Sequence, residues 1–125
     1  MKTNKQNFLS AIMVANQLKV EKDKLGVNCG IFIESNEALS KLIQREMKKI
    51  QVKYCITDKH GAIVYDEKGN FTFGKDKIFD LEDEIEALLD EEIEIEPCVT
   101  SVQECKRVEE SGLINAKNFC GILIP

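Results

Sequence analysis

The sequence predicts a mostly helical α+β fold: an antiparallel helical pair, a small β-hairpin or sheet, and a third amphipathic helix. Three observations support this fold class. Apolar residues recur every three or four positions in three separate segments, which is the spacing of one helix face. Residues 56–73 hold two turn signals and short runs of β-branched and aromatic residues, typical of a hairpin. Period-two alternation at residues 93–95 predicts one more strand.

The first predicted helix covers residues 8–24, with Asn7 as its N-cap. Its wide apolar stripe indicates burial on more than one side. Gly26 is expected to end the helix, because glycine is the usual residue just beyond a helix C-terminus. Residues 26–30 would then form a connector. The stripe consists of Phe8, Ala11, Ile12, Ala15 and Leu18, widened by Leu9, Met13 and Val14.

The second predicted helix begins at a cap formed by Ser35 or Asn36 and continues to about Lys53. The short connector before it favours an antiparallel arrangement with the first helix. The third predicted helix follows Asp76, a possible N-cap, and runs to about Asp90. Their apolar positions are Leu39, Leu42, Ile43, Met47, Ile50 and Tyr54 in the second, and Ile78, Leu81, Ile85, Leu88 and Leu89 in the third.

The turn signals of the β region lie at residues 58–61 and 66–70, where Asp, Gly and Asn favour tight reversals. The strand at residues 93–95 is expected to pair with this hairpin. Residues 113–124 are expected to contain a short helix capped by Asn115. The apolar end of this segment is expected either to dock on the core or to complete a partner's surface. No internal repeat is recognised in the sequence.

Length and composition predict a single domain across residues 1–125. The chain is 43% hydrophobic and 31% charged, which is typical of a folded globular protein. Its longest nearly apolar run, residues 8–15, is shorter than the roughly 20 residues that a membrane span requires. No convincing signal-peptide cleavage site follows it. We therefore expect a protein of the cytoplasm, without a membrane partner.

The five cysteines are widely spaced, and no two of them form a C-x-x-C motif. In a reducing compartment such cysteines pack as small apolar side chains. Zinc is not expected, because close ligand pairs are absent and His60 is the only histidine. The sequence thus predicts neither a metal site nor a cofactor.

Candidate catalytic residues are not found. The glycines match no phosphate-binding loop, and His60 lies within a turn signal with no nucleophile pattern pointing to it. We expect His60 to be an exposed turn residue. A small enzyme remains an alternative interpretation, which would require the fold to bring His60 and several carboxylates into one cleft.

The distribution of charge is more informative than the net charge of −5. Residues 80–96 contain ten acidic side chains and no basic ones, so the remainder of the chain carries a net charge of +5. The second predicted helix is basic. Both faces could simply be solvated, and partly paired within one molecule. Alternatively, one of them guides a protein partner, since a patch of one sign steers encounter and register. The candidate partner-binding residues are Glu82, Glu86, Asp90, Lys41, Arg45 and Lys48.

Two other uses of the acidic residues are less favoured. Glu82, Glu86 and Asp90 could hold a divalent cation, but they lie opposite an apolar stripe, on a face expected to be solvated rather than concave. The negative net charge also disfavours direct binding to nucleic acid.

Nearly the whole chain follows a recognisable order of segments. After the first helix come SNEALSKLIQREMKKIQVKY, then ITDKHGAIVYDEKGNFTF, then FDLEDEIEALLDEEIEIEP and a short apolar end. This order resembles a family of small uncharacterised proteins encoded by tailed phages and prophages of Gram-positive bacteria. The resemblance implies a phage-encoded protein made in the host-cell cytoplasm. It assigns no activity and no functional residues.

These observations lead to three hypotheses. The first is a non-enzymatic phage accessory or assembly protein that acts by protein–protein contacts, potentially as a homo-oligomer. The second is a phage-encoded inhibitor of a host defence protein that uses its acidic face. The third, a small enzyme, has the least support.

Overall fold

The computed structural model describes residues 1–20, 23–99, 102–110 and 123–124. Over these residues the chain is a mostly helical α+β fold, which confirms the predicted class. The described elements, in chain order, are β1 (Lys2–Asn4), α1 (Lys5–Leu18), α2 (Lys24–Ser35), α3 (Glu37–Tyr54), α4 (Ile78–Leu89), β2 (Glu92–Glu94), β3 (Cys98–Val99), α5 (Val102–Glu110) and β4 (Leu123–Ile124).

The chain divides into two compact units. The first unit comprises Met1–Ser40 and Asp90–Pro125, and the second unit comprises Lys41–Leu89. The division falls inside α3, so that one continuous helix contributes to both. The single domain expected from the sequence stays a prediction, and the two units are described separately below.

The core of the first unit lies between α1 and α2. Phe8 near the start of α1 meets Phe32 near the end of α2, with ring centroids 6.4 Å apart in an edge-to-face arrangement. Because the start of α1 meets the end of α2, the two helices run antiparallel. Both aromatic side chains are buried, and edge-to-face pairs of this kind add to the stabilisation that burial provides. The antiparallel partner of α1 is therefore α2 and not the second predicted helix, so the predicted pairing is wrong.

The predicted boundaries of the first helix are wrong. It begins three residues earlier, because Asn4 rather than Asn7 is the N-cap: the Asn4 side chain accepts a hydrogen bond from the Asn7 backbone N–H at 2.8 Å. It also ends at Leu18. The expected connector at residues 26–30 is instead part of α2, which no periodic pattern predicted.

Asp23 explains why a helix starts where a stop was expected. Its carboxylate accepts the Gly26 backbone N–H at 2.9 Å, which is the contact of an N-cap with the third helical residue. Gly26 is therefore in the first turn of a helix and not beyond the end of one. Arg107 of α5 donates a hydrogen bond to the other oxygen of Asp23 at 2.7 Å. These two contacts lower the pKa of the Asp23 carboxyl.

The N-terminal residues form a strand that the sequence analysis did not identify. β1 pairs antiparallel with β2, with Thr3 opposite Ile93. The strand predicted at residues 93–95 is thus present, but its partner is the N-terminus and not the hairpin. Lys5, just after β1, is buried and its ammonium group lies 2.5 Å from the Glu91 carboxylate. Burial of a charged group requires such a partner.

A second small sheet pairs β3 with β4 in parallel. Leu123 and Ile124 of the expected C-terminal helix are therefore in a strand, and the rest of that prediction, residues 113–122, lies outside the described residues. Next to β3, α2 contributes Cys29 to the core, and Cys29 and Cys98 are both buried. The hydrogen bond with the Cys98 thiol and burial raise the pKa of the Cys29 thiol well above its usual range. Cys29 and Cys98 therefore lie in the core as predicted, whereas Cys55 and Cys105 are only half-buried.

In the second unit, the predicted second and third helices are confirmed within one or two residues as α3 and α4. Between them, the predicted hairpin is present as part of a larger arrangement, which we call the β ring (residues 55–73). Thr57 bridges Ile63, Tyr65 bridges Phe71, and Phe73 returns to bridge Cys55. Three short segments, residues 55–57, 63–65 and 71–73, therefore each pair with both of the others. Each segment starts eight residues after the preceding one.

Two matching turns build the β ring. The Asp58 carboxylate accepts the backbone N–H groups of His60 and Ala62 at 2.8 and 3.0 Å, and the Asp66 carboxylate binds the equivalent pair at 2.8 and 2.9 Å. Gly61 and Gly69 complete the turns at φ values of 81° and 79°, a region that glycine adopts without strain. His60 is exposed, as predicted for a turn residue. The statement that the sequence has no internal repeat is wrong, because Asp-x-x-Gly recurs after eight residues.

Candidate protein-binding surface

The outward face of α3 carries a row of basic side chains that ends in an apolar one. Arg45, Lys48, Lys49 and Val52 are all exposed and follow i, i+3, i+4, i+7 spacing, so they lie along one face of the helix. Ile43, on the opposite side, is fully buried. We call these four exposed residues the basic stripe. Two of the predicted partner-binding residues, Arg45 and Lys48, belong to it. The third basic one, Lys41, is exposed one turn earlier.

The outward face of α4 carries a matching acidic row that begins with an apolar side chain. Phe79, Glu82, Asp83 and Glu86 are exposed at the same i, i+3, i+4, i+7 spacing. Leu81 and Leu88, on the other side of α4, are buried. We call the four exposed residues the acidic stripe. Two predicted partner-binding residues, Glu82 and Glu86, belong to it.

Asp90, the third predicted acidic residue, is not part of α4. α4 ends at Leu89, and Asp90 follows in a turn that belongs to the first unit. There it lines an open polar cavity of about 420 Å³ together with Lys2, Thr3, Asn4, Asn7 and Glu92. The Lys2 ammonium group lies 3.6 Å from the Glu92 carboxylate at this cavity.

Within the second unit, one acidic and one basic side chain of the two helices meet directly. The Lys53 ammonium group of α3 lies 2.5 Å from the Glu84 carboxylate of α4, and the Tyr54 hydroxyl donates a hydrogen bond to the same oxygen. Lys53 also lies 5.1 Å from the centre of the Tyr54 ring. Part of the opposite charge is thus neutralised within one molecule, as the simpler interpretation of the sequence expected.

The two stripes do not take part in this internal pairing. Among the ion pairs of the described residues, none involves Arg45, Lys48, Glu82, Asp83 or Glu86. Glu84 is not on the acidic stripe, because it projects from a different side of α4 and is only partly exposed. The sequence analysis did not separate Glu84 from its acidic neighbours, because nothing in a run of carboxylates indicates which of them pairs with a basic side chain.

The contact of Lys53 and Tyr54 with Glu84 is expected to change the titration of Tyr54. The hydrogen bond to the Glu84 carboxylate raises the pKa of the Tyr54 phenol above its usual 10.0, because ionisation would place two negative oxygens side by side. In a Tyr65→Phe variant, where Tyr54 is the remaining tyrosine, ultraviolet absorbance should show a midpoint above 10.0. Adding Glu84→Gln should lower this midpoint.

Glu82→Gln is the matched control for that titration, since Glu82 lies on the same helix, and no hydrogen bond between it and Tyr54 is described. It should leave the Tyr54 midpoint unchanged. An equal midpoint with and without the Glu84 carboxylate would contradict the contact.

The second unit also exposes several large apolar side chains. Phe79 is 75% exposed, Tyr65 55%, Leu42 52% and Val52 43%. In the β ring, Tyr65 stacks on Phe71 with ring centroids 5.7 Å apart, which holds this aromatic pair together at the surface. Single exposed apolar residues are ordinary, but Phe79 and Val52 each lie at the end of a row of charges of one sign.

In the described part of the chain, no group of three or more His, Cys, Asp or Glu side chains is placed to hold a metal ion. None of the described helices has both the length and the apolar character to cross a bilayer. Comparison with known proteins adds no assignment. No family model, curated protein or solved structure matches this chain.

Proposed function

We propose that this chain is a small non-enzymatic protein, encoded by a phage or prophage, that acts through protein–protein contacts as an accessory or assembly protein. The observation that carries the proposal is the pair of stripes on α3 and α4. Each presents three like charges and one apolar side chain to solvent. The phage origin and the host-cell cytoplasm as its location are supported by the resemblance of the segment order alone.

The composition of the stripes supports binding to a protein rather than general solvation. Arg45, Lys48 and Lys49 attract a partner and set its register, since like-signed charges in a row steer encounter. Phe79 supplies the apolar anchor on the other helix, because a large aromatic side chain that becomes buried on binding contributes most of the affinity of a typical contact. Neither metal nor cofactor enters this function.

A second candidate function is inhibition of a host defence protein. The observation that favours it is the exposed acidic row of Glu82, Asp83 and Glu86, for which the described part of the chain shows no basic partner. Three carboxylates in line can occupy a basic groove of another protein. Asp90, which the sequence grouped with them, follows α4 in a turn that belongs to the first unit.

Cross-linking in phage-producing cells tests both functions. A lysine-reactive reagent should join Lys48 or Lys49 to a phage structural protein if the chain takes part in assembly. Cross-links from these lysines to a host defence protein, and not to phage proteins, would support the second function. Both functions would be contradicted if the second unit formed no intermolecular cross-link to any protein.

A control variant shows whether the cross-links depend on the stripes. Arg45→Glu with Lys48→Glu should remove cross-links made through Lys49, whereas Lys59→Glu with Lys68→Glu changes the net charge equally in the exposed turns of the β ring and should preserve them. The flanking genes provide an independent observation: tail and lysis genes favour an assembly role, and a cluster of small early or anti-defence genes favours inhibition.

A further inference from the structure

We propose that copies of this chain associate head to tail: the basic stripe of one copy binds the acidic stripe of the next copy. The inference rests on the proposed function, protein–protein contact through the second unit, and names a second copy as the partner of that surface. The directions, the charges and the exposed apolar side chains of the two stripes support it.

The two stripes face opposite sides of the second unit. α3 and α4 meet where the Lys53 ammonium group and the Tyr54 hydroxyl contact the Glu84 carboxylate. With 3.6 residues per helical turn, Tyr54 lies roughly 180° around α3 from Arg45. Glu84 likewise lies roughly 160° around α4 from Glu86. The stripes are therefore on the outer sides of the two helices and point away from each other.

Stripes that face opposite sides select a head-to-tail contact. In a twofold dimer the same surface of both copies meets, so both stripes would have to face one side. Opposite-facing stripes instead join the basic side of one copy to the acidic side of the next, which is a heterologous contact. A copy bound on one stripe leaves its other stripe open, so the contact repeats from copy to copy.

The order of residues on the stripes favours antiparallel helices at the contact. Phe79 begins the acidic stripe, and α3 offers it two exposed apolar side chains, Leu42 and Val52, at opposite ends of its basic residues. If Phe79 meets Val52, the helices run antiparallel and the carboxylates of the acidic stripe face the three cations of the basic stripe. If Phe79 met Leu42, the helices would run parallel and Asp83 would face Glu46.

The basic row of α3 is longer than the acidic stripe. Lys41 is exposed one turn before Arg45, and in the antiparallel contact it lies beyond Glu86, near the end of α4 of the next copy. The contact therefore does not depend on rows of equal length. It depends on opposite charge along the turns that both helices present.

Charged and apolar side chains have different roles in this contact. Exposed ion pairs each contribute little, and they are screened by salt, so the charges mainly set direction and register. Phe79, which is 75% exposed in the single chain, and Val52, at 43%, lose water on contact and supply the affinity. Because only about two turns of each helix are covered, the association is weak and depends on protein concentration.

The second unit buries few large apolar side chains of its own. Within residues 41–89 the buried ones are Ile43, Leu81 and Leu88, whereas seven large apolar side chains are exposed. A small unit with a core of this size gains stability when a bound copy covers part of its apolar surface. The head-to-tail contact covers Val52 of one copy and Phe79 of the next.

A second copy matches these stripes in charge. Two chains that each carry a net charge of −5 repel at a distance, so self-association requires a local patch where opposite signs meet. The chain itself contains both halves of such a patch, each with an exposed apolar side chain at its end.

Light scattering and sedimentation test the head-to-tail contact. In low salt the average mass of the unmodified chain should rise with concentration beyond that of a dimer, and added salt should lower it. One variant reverses the basic stripe (Arg45→Glu with Lys48→Glu), and the other reverses the acidic stripe (Glu82→Lys with Glu86→Lys). Each variant alone should associate at least about tenfold more weakly, because like charges then face each other.

Mixtures distinguish a head-to-tail row from a closed pair. A variant with one reversed stripe still carries the other stripe, so it binds one end of a row of unmodified chains and stops its growth. Small amounts of either variant should therefore lower the average mass of the unmodified chain. An equal mixture of the two variants should associate again, since each supplies the stripe that the other lacks.

Phe79→Ala tests the apolar part of the contact without changing any charge. It should weaken the association at least about tenfold, because a large aromatic side chain is lost from the contact. Val20→Ala is its control, since Val20 is 73% exposed and belongs to the first unit. The control should associate as the unmodified chain does.

Controls for the reversals carry equal charge changes at exposed positions away from the stripes. They are Lys59→Glu with Lys68→Glu for the basic stripe, and Glu34→Lys with Glu109→Lys for the acidic stripe. Both should still associate. Association in the mixture of the two reversed variants also shows that each is folded, and circular dichroism of each variant alone provides a second measure.

Several results would overturn the head-to-tail contact. They are an unmodified chain that stays monomeric in low salt at high concentration, a mass that stops at a dimer, an association that neither reversal weakens, or folded variants that do not lower the mass of the unmodified chain. If any of these is found while the cross-links to a phage or host protein persist, the self-contact alone is wrong and the proposed function stands. Loss of those cross-links in a chain that still associates with itself would contradict the function alone.

Discussion

Replacing Phe8 by alanine is expected to lower the free energy of unfolding of the first unit by about 3–5 kcal/mol, the usual cost of removing a large buried aromatic side chain. Phe8 has no exposed surface, and its ring meets Phe32 edge to face. The variant loses both the burial and the aromatic contact and leaves a cavity between α1 and α2. Urea unfolding followed by circular dichroism, with hydrogen exchange of the two helices, measures the loss.

Met13→Ala is the control for this prediction, because Met13 lies on the same helix and is 57% exposed. Its effect should remain within about 0.5 kcal/mol, as for most surface substitutions. A comparable loss at Met13 and Phe8 would mean that the two faces of α1 are not buried as described. Because the chain has two compact units, the urea transition should be examined for more than one step before a single free energy is derived.

Replacing Ile43 by alanine is expected to destabilise the second unit by about 2–5 kcal/mol, since shortening a buried aliphatic side chain costs its transfer free energy and leaves a cavity. Ile43 is fully buried, whereas Leu42 beside it in the sequence is 52% exposed. The two positions differ by one residue and project to different sides of α3. Thermal or urea unfolding, read out by hydrogen exchange in α3 and α4, measures the effect.

Leu42→Ala is a close control, because it removes a side chain of equal size from the same turn of the same helix. It should change the free energy of unfolding by less than about 0.5 kcal/mol. If Leu42 proved the more costly substitution, α3 would have to be rotated by about one residue, and the basic stripe would no longer face solvent. The pair of variants therefore tests the surface as well as the core.

Helical periodicity predicted α3 and α4 well and α2 not at all. In α3 and α4 the apolar residues form single stripes with charged residues opposite, and burial on one face produces such a pattern. In α2, the glycines at positions 26 and 30 and the continuous apolar run at residues 31–33 hide the period. The helix exists because Asp23 caps it and because Leu25, Cys29 and Phe32 are buried in the core, a set of contacts made by distant parts of the chain.

Local sequence patterns also did not predict which strands pair. The alternation at residues 93–95 identified a strand, but its partner lies some 90 residues away at the N-terminus, where Lys2–Asn4 is too short and polar to be recognised. The β ring differs: each of its turns carries its own signal, Asp-x-x-Gly, and only the final bridge between Cys55 and Phe73 depends on the closure of the cycle.

For the candidate surface, the distribution of charge in the sequence identified α3 and α4, and the exposure of each side chain in the structure identified the residues of the stripes. Arg45, Lys48, Glu82 and Glu86 were predicted from the segregation of charge and lie on the stripes. Val52 and Phe79 were missed, because the candidate residues were chosen by charge alone. Their helical positions relative to the charges were available in the sequence, but their exposure was not.

The sequence by itself determined the helical periods of α3 and α4, the turns of the β ring and the segregation of charge, since each of these arises from residues close together in the chain. Only the tertiary structure decided that residues 24–35 form a helix and that the N-terminus pairs with residues 92–94. It also decided that Lys53 and Tyr54 contact Glu84, and that Phe79 is exposed. The physical reason is that burial and long-range pairing depend on which distant segments meet, and local propensity contains no information about that meeting.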